Sequence, residues 1–337
     1  MLIEFTDRGL YCRQGEFYID PWKPVEAAVI THAHSDHARP GNNNYLCHDR
    51  TLPLLRLRLG ENNYQSVPWN ETTFRNGVKI SLHPAGHIIG SSQVRVEYAG
   101  EVWVVSGDYK TENDHISGAF EPVKCHHFVT ESTFGLPIYN WASQKEQYQL
   151  VQNWVQQNHE NGITSVLYAY SLGKSQRIIK AVGELGLPIY AHGAVANVQE
   201  VLRNDGWDFP LVRRVTKDIP SEHIRGNIVI APGSAENSPW TRRFAPYKTA
   251  VCSGWMQVRG NFRRRNTDAG FPISDHADWQ GLLDTIKLIS PEKVYVTHGF
   301  QSVFSRYLNE SGINAAEVKT EFGTEEEVAT TEQTDEV

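Results

Sequence analysis

The amino-acid sequence predicts an α/β fold, and two observations carry that expectation. Short apolar runs of strand length alternate with longer segments whose apolar residues recur at helical spacing. The polar residues capable of chemistry stand directly after the apolar runs, where α/β proteins carry their sites on loops held by a rigid sheet. A chain of 337 residues has room for about two domains, and 40% hydrophobic with 21% charged residues is enough to bury a core.

In chain order, strands are expected at Val25–Ile30, Val102–Val105, Phe128–Thr130, Val166–Tyr168, Ile228–Ile230, Thr249–Cys252 and Val294–Val296. Each is a short, largely apolar run bounded by polar or turn residues. Helices are expected where the period is helical. Ser143–Gln157 carries Leu150, Val151, Trp154 and Val155, and Gly173–Leu185 carries Ile178, Ile179, Val182 and Leu185 on one face. Asp278–Ile289 carries Trp279, Leu282, Leu283, Ile286 and Ile289, and Pro291 stops it.

Composition narrows the function classes. No run approaches the roughly 20 apolar residues of a membrane span, and the first residues have neither the basic nor the apolar region of a secretory signal. Cys12, Cys47, Cys125 and Cys252 lie far apart, which argues against a disulfide scaffold or a thiolate zinc finger and fits a reducing cytoplasm. The net charge of −7 comes from the C-terminus: seven acids and no Lys or Arg lie in 320–337, and the remaining acids match the 32 basic residues. The expectation is a solvated acidic tail on a formally neutral body, which leaves anionic substrates open.

Histidine is the outlying residue, at 14 copies. After the first expected strand comes His32-x-His34-x-Asp36-His37, four metal-ligand side chains within six residues. Side chains two apart in an extended segment point the same way, so His32 and His34 can share one ion. If the chain then turns, Asp36 and His37 are free to meet a second. Three further pieces follow in order: His87 in Pro-Ala-Gly-His, Asp108 in Ser-Gly-Asp, and His298 in Thr-His-Gly. Taken singly they have structural readings, Asp108 as a helix cap and His87 as a core histidine. Together they describe a metal centre.

The motifs His32/His34/Asp36/His37, His87, Asp108 and His298 resemble those of the metallo-β-lactamase fold. Its β-CASP nuclease branch is matched by Glu131 in Thr-Glu-Ser-Thr-Phe-Gly, His276 in Ile-Ser-Asp-His-Ala-Asp, and again His298. Ala169–Arg177 is similar to the start of the branch's inserted cap, with Lys174 where an arginine is usual. The stretch from Ser253-Gly-Trp-Met to His276 resembles the bacterial ligase-associated DNA exonucleases. The resemblance implies a metallo-β-lactamase αββα sandwich over 1–140 and 250–319, a β-CASP cap over 141–249, and the acidic tail at 320–337.

It also implies roles. His32, His34 and His87 would hold one zinc, Asp36, His37 and His298 a second, and Asp108 would bridge them, with manganese as the alternative metal. Such a pair supplies a nucleophile at neutral pH and stabilises the oxygens of a phosphoryl displacement. Asp36, Glu131 and His276 form the expected catalytic set, His276 assisting the leaving oxygen and Glu131 positioning it. The plainer readings make Glu131 a neighbour of a helix cap and His276 a capping residue. Lys174, Arg259, Arg263, Arg264 and Arg265 are the expected phosphate contacts.

The expected function is therefore a cytoplasmic two-metal phosphodiesterase, a DNA exonuclease of repair acting on single-stranded or end-bearing DNA. The resemblance implies an ATP-dependent DNA ligase or a helicase as partner. An RNA-processing nuclease of the same fold is the first rival, because RNA-acting relatives carry histidine where His298 stands. A small-ester or thioester metallo-hydrolase is the second, and the inserted cap and His276 argue against it. A non-catalytic binding module ranks last, since all seven ligands are present.

Overall fold

The computed structural model describes residues 1–258 and 267–318. The chain divides into two units. Among the described residues the first comprises 1–140 and 276–318, and the second, inserted between them, comprises 141–258 and 267–275.

The first unit contains two mixed sheets. One is built in chain order from β1 (Ile3–Thr6), β2 (Gly9–Cys12), β3 (Phe17–Ile19), β4 (Ala27–Val29), β5 (Asn44–His48) and β6 (Tyr64–Val67). The other contains β7 (Thr72–Arg75), β8 (Val78–Pro84), β9 (Ser92–Tyr98), β10 (Glu101–Val105) and β11 (His127–Glu131), then the late strands Lys293–Thr297 and Ala315–Glu317. Alternation along β10 decides what each face buries. Trp103 and Val105 join Leu10, Phe17, Ile19 and Val29 of the first sheet in one core. Val104 points the other way, with Phe128, Val294 and Val296, onto Leu282, Ile286, Phe304 and Leu308 of the helices Trp279–Ile289 and Gln301–Glu310.

The second unit has one sheet, built from β12 (Thr164–Tyr168), β13 (Ile189–Ala191), β14 (Val212–Arg214), β15 (Ile228–Ala231), β16 (Tyr247–Cys252) and β17 (Ala269–Phe271). The spatial order is β14-β13-β15-β12-β16-β17, and every pairing is parallel. Parallel neighbours need crossovers, which the helices Lys174–Gly183 and Gly193–Asn204 provide after β12 and β13. The helix Gln144–Glu160 precedes β12 and opens on a capping box in which the Ser143 hydroxyl accepts from the Glu146 amide.

The seven expected strands and three expected helices all form, with ends that differ by a few residues. The sequence places the end of the insert at 249, whereas the second unit's sheet takes in later residues. Ala250, Val251 and Cys252 pair with Ala269, Gly270 and Phe271, and Asp268 accepts from the Thr249 amide at 2.8 Å. Residues 250–258 and 267–275 therefore group with the second unit, and the first unit resumes at His276. Arg259, Arg263, Arg264, Arg265 and the acidic segment 320–337 lie outside the described residues. Among the described residues no helix is long and apolar enough to cross a membrane.

Candidate metal centre

Three parallel strands deliver three of the site residues side by side. β10 pairs with β11, and β11 with the late strand Lys293–Thr297, in the register Val105↔Val129 and Glu131↔Thr297. Asp108 follows β10, Glu131 closes β11, and His298 follows Thr297. His298 takes a left-handed backbone (φ 53°) that the Ser132 hydroxyl holds by donating to its carbonyl. The next residue must be glycine. Gly299 has φ 64°, and a Cβ there would lie 2.3 Å from the Ser132 oxygen.

The His32–His37 loop leaves β4 and turns back on itself, with the amides of His37 and Ala38 both donating to the His34 carbonyl. His87 sits between β8 and β9, in a loop tied to the first by the Ser92 amide donating to the Thr31 carbonyl at 2.8 Å. Gly107 lets the Asp108 loop close on the same point, since a Cβ would meet Thr31 at 2.8 Å.

The ring nitrogens converge. His34 Nδ1 lies 3.2 Å from His32 Nε2 and 3.0 Å from His87 Nε2. Asp108 Oδ2 lies 3.6 Å from His32 Nε2, 3.8 Å from His87 Nε2 and 3.5 Å from His37 Nε2. His37 Nε2 is 3.6 Å from Asp36 Oδ2, and the His37 ring stacks on His298 with centroids 5.1 Å apart. Asp108/Glu131/His276 is one donor group able to hold a metal ion, and the expected ligands fall into two others, His32/His34/His87/Asp108 and Asp36/His37/His298. Asp108 reaches both. Its other oxygen, Oδ1, is buried and has no hydrogen-bond partner among the described residues. A buried carboxylate oxygen left so is costly unless a cation meets it, and imidazole with carboxylate suits a divalent transition metal.

Outer contacts aim the rings. His32 Nδ1 meets Thr31 Oγ1 at 3.0 Å, His298 Nδ1 meets Thr297 Oγ1 at 3.1 Å, and His37 Nδ1 meets Asp20 Oδ2 at 2.7 Å. Each Nε2 is thereby turned toward the centre. Asp20 also accepts from the Thr31 amide at 2.8 Å. Sequence reasoning missed this residue, because a single acid after a strand has no spacing that marks it. The Asp20-Pro21 pair, 11 residues before Thr31, was the available signal.

The electrostatics sort the ligands. Burial, with His37, His87 and His34 beside it, holds His32 well below the ordinary histidine range. Burial pushes His298 down to about 4. Both are neutral, the ligand form, at pH 7. At His37 burial works downward too, but Asp36, Asp108 and Asp20 outweigh it and hold the imidazole well above its usual value. At Asp108 burial acts upward and loses to His37, His298 and His276, which keep the carboxylate well below its usual range.

His276 and Glu131 form a second element of the site. Glu131 Oε2 is 2.9 Å and Oε1 3.1 Å from His276 Nδ1, and Oε1 also accepts from the Tyr109 amide at 2.7 Å. Burial raises the Glu131 carboxyl above the usual carboxylate range, against the opposing pull of His276. The His276 ring lies 4.6 Å from that of His87, so it borders the group His32/His34/His87/Asp108. The capping role belongs to Asp278, which accepts from the Gly281 amide at 2.8 Å to start the helix Trp279–Ile289.

Lys174 belongs to the second unit. It is 3% exposed, and its ammonium lies 2.9 Å from Asp275 Oδ1. That is not the setting of a side chain open to a substrate phosphate.

No family model matches the chain. It is 32% identical over 313 residues to a protein of Opitutus terrae named probable DNA ligase, covering 91% of this chain and 30% of that one. It is 23% identical over 295 residues to cleavage and polyadenylation specificity factor 73 of Drosophila melanogaster, covering 72% and 42%. It is 22% identical over 297 residues to endoribonuclease ysh1 of Schizosaccharomyces pombe, covering 72% and 38%. The chain thus spans less than half the length of these relatives. A crystal structure of a protein of unknown function from Enterococcus faecalis V583 superposes with a TM-score of 0.63 at 12% identity, covering 88% of this chain and 80% of that one. These relatives fit the resemblance of the motifs to the β-CASP nucleases.

Proposed function

We propose that the protein is a two-metal phosphodiesterase that degrades single-stranded or end-bearing DNA as a repair exonuclease. The observation that carries the reading is the position of Asp108 Oδ2, within 3.5–3.8 Å of His32, His87 and His37 and so shared by both donor groups. On this reading His32, His34 and His87 would hold one zinc or manganese ion and Asp36, His37 and His298 the other, with Asp108 within reach of both. Bound there, the ions supply Lewis-acid stabilisation of phosphoryl oxygens and lower the pKa of water. The first unit is then the metallo-β-lactamase sandwich, and the insert Trp141–Asp275 the β-CASP cap.

The chain's own residues divide the remaining work. His276 holds a proton on the nitrogen that faces away from Glu131 and gives it to the leaving oxygen. Glu131 keeps the ring oriented and compensates its charge. The small-ester alternative makes no use of this pair or of the insert. Arg259, Arg263, Arg264 and Arg265 are assigned to the phosphate backbone.

DNA is favoured by the similarity to the probable DNA ligase, which extends over 91% of this chain and supports a ligase as partner. Four free cysteines accord with a reducing cytoplasm. The second reading, an RNA-processing nuclease, is favoured by relatives named endoribonucleases. The deciding experiment incubates zinc- or manganese-loaded protein with end-labelled single-stranded DNA and RNA and follows product length. A ladder of mononucleotide steps on DNA supports the proposal. Internal cuts confined to RNA establish the second reading, and no cleavage of either refutes both.

A further inference from the structure

Two basic runs of the second unit, far apart in sequence, come to one surface. β14 pairs in parallel with β13, and the register sets Arg213 beside Tyr190. The Arg213 guanidinium lies over the Tyr190 ring, 6.0 Å from its centroid. Alternation along this edge strand puts Arg213 on the same face as Val215 and turns Arg214 to the other. Val215 and Tyr190 pack in one cluster with Phe244, and Trp240 closes against it from the short helix Pro239–Arg242. Arg243 follows that helix, and its guanidinium donates to the Thr216 carbonyl at 3.1 Å and the Ile219 carbonyl at 3.3 Å. Those carbonyls flank Lys217, so Arg243 pins the loop that carries it.

The charge of this face is unmatched. Arg213, Lys217 and Arg242 are exposed, and Arg243 is half-buried. Among the described residues none of these side chains has a carboxylate oxygen within 4 Å, although Asp218 and Glu222 stand close in sequence. Arg214, on the opposite face, differs: it lies 3.8 Å from Glu200 Oε2 and donates to the Asn197 side-chain oxygen. Like charges gathered without carboxylates repel one another, and an anion that meets them relieves the cost. An arginine guanidinium is a planar fork that matches phosphate oxygens. Rings are interleaved with the cations, since Tyr190 lies under Arg213 and Trp240 stands 5.0 Å from the His192 ring. A strand of phosphates and bases uses both features, whereas an acidic peptide uses only the charges.

We propose that Arg213, Lys217 and Arg242 form a contact surface for the phosphate backbone of single-stranded nucleic acid, with Trp240 at its border. This rests on the reading of the protein as a nuclease of single strands, and it names residues that hold the strand. Contacts of this kind carry no base preference, so DNA and RNA strands are held alike.

The test uses the full chain with metal withheld and measures affinity for labelled oligothymidylate and oligouridylate across a salt series. The triple variant R213Q/K217Q/R242Q is expected to flatten both slopes of log affinity against log salt by about two units, and Arg213→Gln alone by about 0.7. Arg213→Lys keeps the charge and the slope. Arg214→Gln, on the opposite face, leaves the slope as it is. If the triple variant does not fold, the single variants Arg213→Gln and Lys217→Gln carry the same comparison. A triple variant with the wild-type slope overturns the proposal and makes the patch a solvated face. Flattening by Arg214→Gln equal to that by Arg213→Gln overturns it too, because net charge and not this surface would then set the slope. Polyglutamate is the last probe. If it binds the wild type and not the triple variant while the nucleic-acid slopes stay unchanged, the surface takes an acidic polypeptide and the proposal falls. Zinc-loaded wild type on the same strands scores the nuclease reading separately. Cleavage together with an unchanged slope in the triple variant refutes the surface alone. A flattened slope with no cleavage by the wild type keeps the surface and refutes the nuclease reading.

Discussion

At the scale of single residues, Asp108 is the decisive group. One oxygen lies within 4 Å of nitrogens from both donor groups, and the other is buried without a hydrogen-bond partner among the described residues. If the carboxylate bridges, Asp108→Ala lowers the content of both ions in protein purified without chelators. Loss of only one ion, measured by elemental analysis, removes the bridging role. His276 makes the opposite prediction. It contacts Glu131 and is not among the assigned ligands, so His276→Ala is expected to keep its metal while turnover falls by about 10²–10⁴-fold. A variant that loses metal instead would move His276 into the coordination sphere.

At the scale of elements, the site depends on the ends of adjacent strands and on turns only glycine can make. Gly299 follows the strained His298, and a Cβ there would lie 2.5 Å from the Thr133 Cα as well as against the Ser132 carbonyl. Gly299→Ala is expected to lower the melting temperature by several degrees, the effect of roughly 1–3 kcal/mol of backbone strain. It should also weaken the group Asp36/His37/His298 while His32/His34/His87 keeps its ion, which metal titration followed by calorimetry would resolve. The elements that could be read from sequence were the apolar parallel strands, such as Val166–Tyr168 and Val294–Val296, whose burial on both faces leaves continuous hydrophobic runs. In the first sheet β4 was read as Val25–Ile30, while β1 to β3 and β6 were missed because they are short and several of their residues are half-exposed or exposed. The ligands were legible because their side chains are few in kind and dense in spacing. Asp20 and the Tyr109 amide were not, since one is a lone acid and the other is backbone. The boundary at 275 was hidden for a related reason: a strand can be read from its residues, but the sheet it joins cannot.

At the scale of the whole molecule, buried histidines set the pH response and arginines the salt response. His48 is 3% exposed, stacks on Trp69 at 4.1 Å, and is pushed down to about 4 mainly by burial, with Asp49 opposing and Arg50 adding. Unfolded, it titrates near 6.5. Its neutral form favours the fold fully above pH 6.5, and that contribution is lost as pH falls from 6.5 toward 4. Urea unfolding of metal-free protein should therefore show stability declining across this window, with His48→Phe reducing the slope by up to about one proton. An unchanged slope would mean that His48 is not excluded from protonation in the folded state. The salt response tests the substrate track. Each phosphate contact with a single strand adds about −0.7 to the slope of log affinity against log salt. Replacing Arg263, Arg264 and Arg265 together is expected to flatten that slope by about two units, whatever the base sequence. Binding is measured with metal withheld, so that cleavage does not enter the titration. Lys174→Met should leave the slope as it is, because that ammonium is already matched to Asp275 inside the second unit. If the triple-arginine variant keeps the wild-type slope, these side chains are a solvated face and the phosphate backbone is bound elsewhere.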